Sequence, residues 1–104
     1  MVRTDVMLRI KVNRRPSTRY HPGLGLLRTV TVDGRVWYEA RSVRKILWYG
    51  DDTPLPDLKT EIIIESPDGA GLFYDSSALR ALVVASPAPA GVATAFLAWV
   101  DTNT

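Results

Sequence analysis

The 104-residue chain has no cysteine and a single histidine, His21. Without thiols there is no disulfide framework, no thiolate metal site and no cysteine nucleophile. One imidazole supports neither a histidine metal cluster nor a histidine-based triad. Long apolar runs are also missing: none approaches the ~20 residues that span a bilayer. Arg3 and Asp5 are followed by alternation instead of an apolar leader core, so no secretory signal is expected. Acids are scarce in the first half and bases in the second. Residues 1–50 hold eleven Lys/Arg against three acids, Asp5, Asp33 and Glu39. Residues 51–104 hold two bases, Lys59 and Arg80, against eight acids. These surpluses of +8 and −6 are concealed in a net charge of +2. An asymmetry of this size points to a polyanion-facing first half; the competing reading is that the halves neutralise each other on folding.

What is present is a globular composition, 46% hydrophobic and 23% charged, sufficient for one domain over 1–104 with its own core. Val6, Leu8, Ile10 and Val12 alternate with polar neighbours and predict a strand. Residues 13–25 carry Arg14, Arg15, Arg19, Pro16, Pro22, Gly23 and Gly25, which reads as a basic loop. Asp33-Gly34 between two apolar runs predicts a hairpin of strands 28–32 and 35–38, because a type I′ turn needs positive φ at both central residues. From Glu39 to Tyr49 the period becomes helical: Ala40, Val43, Ile46 and Leu47 form a stripe, with Arg41, Arg44 and Lys45 on the other face and Gly50 as the expected stop.

An acidic, proline-punctuated loop follows over 51–58, then a β-branched strand over 59–65, a turn at Ser66–Gly69 and a short return strand over 72–74. Asp75 is placed to cap a helix with stripe Ala78, Leu79, Leu82 and Val83. After the stiff connector Ser86-Pro87-Ala88-Pro89, a last helix is expected from about Gly91 to Asp101. The expected fold class is α+β: small antiparallel hairpins with one intervening helix and a C-terminal helix-turn-helix-like pair.

Within this order the stretch from Val32 to Leu47, with Trp37-Tyr38 leading straight into a helix, resembles the opening of Bro-N, the N-terminal domain of baculovirus repeated-ORF proteins found in viral and prophage antirepressors. Phe73–Leu82 is similar to that family's strand-to-helix segment, and Phe96-Leu97-Ala98-Trp99-Val100 to its closing Phe-x-x-Trp-Val. The resemblance covers about residues 28–100. It implies a phage or prophage protein with a DNA-binding or regulatory role, working in the cytoplasm of a bacterial host. The family usually places several bases on the terminal helical pair, whereas here Arg80 is the only one, which moves the expected DNA contact to the first half.

The candidate DNA-contacting residues are Arg14, Arg15, Arg19, Arg41, Arg44 and Lys45, as forks and point charges for phosphate oxygens. Tyr20 and His21 beside Arg19 are candidates to stack on a base or enter a groove. The competing reading is a solvated face. Trp37 and Trp99 sit on apolar stripes and read as core. Trp48 and Tyr49 lie off the helix stripe and read as an exposed partner surface. The last helix is small or apolar on nearly every side, so Ala93 and Leu97 are assigned to a protein interface, most simply a homodimer. The acids Asp51, Asp52, Asp57, Glu61 and Glu65 form a loop cluster and not a rigid convergent set, so neither catalysis nor a metal or other cofactor is expected. Duplex DNA is the expected partner, and a host or phage protein the alternative.

Overall fold

In the computed structural model, which describes residues 8–58 and 61–102, the chain is a mixed α+β fold. Three helices pack with one six-stranded sheet. The central hairpin is β3 (Gly25–Val32) with β4 (Arg35–Glu39), closed by Asp33 at φ 52 and Gly34 at φ 80, both positive as a type I′ turn requires. A second hairpin joins β5 (Glu61–Ser66) to β6 (Gly69–Tyr74). The two hairpins are not separate units. Tyr38 pairs with Tyr74 and Glu39 with Phe73, which fuses them into a single sheet. β1 (Arg9–Lys11) lies parallel to β5 at one edge. The start of the strand expected from Val6, and Lys59 at the start of the next, lie outside the described residues.

The sequence reading of 13–25 as a loop is corrected. Ser17–His21 forms β2, antiparallel to β3 on the other sheet edge. Thr18 and Tyr20 favour strand, and Pro16 and Pro22 bracket an edge where proline is tolerated. The prolines, glycines and arginines nearby masked this segment, and its hydrogen-bond partners come from β3, which local pattern does not reveal.

α1 (Ala40–Ile46) follows β4 directly, and α2 (Ser76–Val84) and α3 (Ala90–Thr102) close the chain. Asp75 caps α2 as expected, its carboxylate accepting the Ala78 N–H at 2.9 Å. The end of α1 differs from expectation. The Tyr49 N–H donates to the Arg44 carbonyl at 2.8 Å and the Trp48 N–H to that of Lys45 at 3.4 Å, a Schellman closure. The left-handed residue in it is Trp48, at φ 66, and not Gly50. Burial of Leu47 and Tyr49 on either side forces the reversal two residues early.

Consecutive strand residues point to opposite faces, and the core divides accordingly. Leu27, Tyr38 and Tyr74 face α2 and α3, packing with Leu79, Leu82, Phe96 and Val100 and with Val43, Ile46 and Leu47 of α1. Val30, Trp37, Ile62, Ile64 and Phe73 cluster on the opposite face. Trp37 is thus core, as read from its stripe, and Trp99 is half-buried against the first cluster.

Candidate nucleic-acid interface

Burial of Val43, Ile46 and Leu47 fixes the roll of α1. Arg41 and Lys45, one turn apart, then face outward with Arg44 beside them. These three line an open groove of about 650 Å³ together with Arg28 of β3, Pro16, and the β5–β6 turn and early β6 from Ser66 to Phe73. Arg41 and Lys45 are exposed, and no ion pair is formed by either among the described residues. Three acids, Glu39, Asp51 and Asp68, also line the groove, and two of them are occupied. Glu39 accepts from the Ser42 hydroxyl at 2.7 Å and lies 3.9 Å from Arg28, and Asp68 pairs with Arg15 at 3.3 Å. The Ser42 hydroxyl also accepts the Arg28 N–H at 3.3 Å, which ties the first turn of α1 to β3.

The predicted basic residues are therefore not equivalent. Arg41 and Lys45 lie exposed on the outer side of α1, where helical spacing places them. Arg44 is half-buried: its Nε donates to the Tyr74 hydroxyl at 3.0 Å, and its guanidinium lies 5.8 Å from that ring's centre. Arg14 is exposed just before Pro16. Arg15 is exposed but partly neutralised by Asp68; such pairs contribute little. Arg19 is the correction among the bases. In register with Leu27, it sits on the helix-covered face beside Tyr38, Trp99 and Val100, away from Arg28 and α1. Period-two alternation, hidden while this segment read as loop, puts it there.

His21 follows Arg19 to the same face. Its ring lies 5.2 Å from that of Trp99, and its Nδ1 accepts the Gly23 N–H at 3.0 Å, so it is a packed turn residue and not a free stacking group. Tyr20 points the other way and is 68% exposed. Arg28 is not among the bases the sequence singles out. Its signal was present in the inward-facing Leu27 and Thr29, which leave Arg28 outward.

The predicted protein-interface residues also separate. Trp48 is 58% exposed, as expected. Tyr49 is buried, and its hydroxyl donates to the Leu82 carbonyl at 2.6 Å, so it belongs to the core and is withdrawn from the partner surface. The Schellman reversal turns these two neighbours in opposite directions. Ala93 and Leu97 are half-buried, Leu97 beside Tyr38, Leu79 and Val100; the outward side of α3 is Gly91, Thr94 and Ala98.

Burial pushes the Tyr38, Tyr49 and Tyr74 hydroxyls above their ordinary range, opposed by Arg19 at Tyr38 and by the Arg44 hydrogen bond at Tyr74. Among the described residues no three carboxylate or imidazole groups gather closely enough to hold a metal ion. Among the same residues no helix is long and apolar enough to cross a membrane. Comparison with protein-family models, with curated proteins and with solved structures finds no match to this chain.

Proposed function

We propose that the protein is a nucleic-acid-binding regulator, of the kind its Bro-N resemblance implies, that holds duplex DNA by the phosphate backbone. Arg41, Lys45 and Arg28 make the principal contacts, with Arg44, Arg14 and Arg15 contributing. The observation that carries this reading is the pair Arg41 and Lys45: exposed, one helical turn apart, without a carboxylate partner among the described residues, on the same groove as Arg28. Cations left uncompensated in this way gain by displacing the counterions of a polyanion.

Retardation of duplex DNA on a native gel tests it. Binding at low salt is expected, and Arg41→Ala/Lys45→Ala is expected to reduce the slope of log affinity against log salt by about 2. Absence of retardation at low salt overturns the reading.

The alternative is an antirepressor or host-takeover factor that binds a host or phage protein. Trp48 favours it: a bulky residue held in the left-handed region while more than half exposed is a costly arrangement for the fold alone. Removal of the indole by Trp48→Ala is expected to abolish such binding and spare DNA retardation.

A further inference from the structure

The sheet surface beyond Arg28 carries a feature that phosphate contact does not use. In β2 and β3, Thr18 is in register with Arg28 and Tyr20 with Leu26. All four point away from α2 and α3, because Leu27 and Thr29 point toward them. Tyr20 is 68% and Leu26 56% exposed. An aromatic ring and an aliphatic side chain thus stand side by side in open solvent, one cross-strand diagonal, about 7–8 Å between Cα atoms, from a guanidinium. Arg28 continues the pair onto the groove lined by Arg41, Arg44 and Lys45.

Resting on the phosphate-binding reading above, we infer that this surface takes single-stranded nucleic acid in preference to duplex, with Tyr20 and Leu26 as the platform for an unstacked base and Arg28, Arg41 and Lys45 along its backbone. In a duplex the base faces are stacked on one another and present only their edges. An exposed ring on a sheet face has no base face to meet there. A two-stranded ribbon can enter a major groove, but β2 and β3 are not a free ribbon: β4 pairs with the other side of β3 and α1 packs against it. A single strand presents base faces and phosphates together, matching an aromatic platform beside a basic groove. Because every base has a face, the recognition is tolerant of sequence.

The test measures binding of the full chain to a fluorescent oligothymidylate and to a mixed-sequence duplex of equal length, across a salt series. The oligothymidylate is expected to bind the tighter of the two. Tyr20→Ala is expected to weaken oligothymidylate binding about tenfold or more with its salt slope unchanged, and Tyr20→Phe to retain it. Arg28→Ala/Arg41→Ala is expected to reduce the slope instead. Tyr20 is exposed, so its variants keep the fold, which circular dichroism verifies. Equal or weaker binding of the single strand, with duplex binding intact, overturns this inference and leaves the phosphate-binding reading standing. An unchanged affinity in Tyr20→Ala overturns it as well. Loss of binding to both probes at low salt overturns the reading on which it rests.

Discussion

The two faces of the sheet are built from the same strands and serve opposite ends. On one, Tyr38, Tyr74 and Leu27 are sealed beneath α2 and α3. On the other, Trp37, Phe73, Ile62 and Ile64 make a central cluster, while Tyr20, Leu26 and Arg28 at the β2–β3 end stay in solvent. Neighbours in sequence are divided between them. Arg19 goes to the covered face and Tyr20 to the open one; Leu27 is buried while Arg28 is exposed, with Glu39 3.9 Å away. Position within a strand, and not residue type, decides which arginine is available to a polyanion.

The largest effect that would break this contrast comes from the covered face. Phe96 is fully buried, so Phe96→Ala is expected to cost about 3–5 kcal/mol in urea denaturation. Leu26→Ala on the open face is expected to stay within about 0.5 kcal/mol. Equal losses at the two sites would show that the open face is covered in solution.

Alkaline pH separates the faces next. Tyr38, Tyr49 and Tyr74 all ionise above the ordinary tyrosine range when folded, chiefly because of burial. The unfolded chain therefore loses these protons first as pH rises, and stability, fully present below about pH 10, falls above it. Tyrosinate absorbance and denaturation midpoints followed through that range are expected to move together.

At the end of α1, Trp48→Gly is expected to stabilise the fold by about 1 kcal/mol, because glycine adopts the left-handed position without strain. A raised melting temperature checks this, and a lowered one would mean that the indole packs usefully where it lies. The smallest change is expected from Arg15→Ala. Its pair with Asp68 is exposed on both sides, so stability should shift by less than about 0.5 kcal/mol and duplex binding only modestly.

Much of the fold was legible because its signals are local. Asp33-Gly34 dictates the central hairpin, Asp75 the start of α2, and the spacing of Val43, Ile46 and Leu47 the buried side of α1. Of the candidate site, Arg41 and Lys45 were readable for the same reason: helical period places them opposite that stripe. The opposite placements of Arg28 and Arg19 are not legible in the sequence, because a strand's alternation informs only once the strand is recognised, and β2 exists through its pairing with β3. The burial of Tyr49 beside an exposed Trp48 is not legible either, because nothing in the sequence specifies the Schellman reversal between them.

By itself, then, the sequence determined the hairpins, the helix cap, the inward stripes and the concentration of positive charge in the first half, since each depends on residues a few positions apart. Tertiary structure alone decided that two hairpins fuse at Tyr38–Tyr74, that Arg44 leans on Tyr74, and that Arg28 joins α1 on one groove. Those contacts depend on which distant surfaces exclude water from each other, and no local pattern encodes that choice.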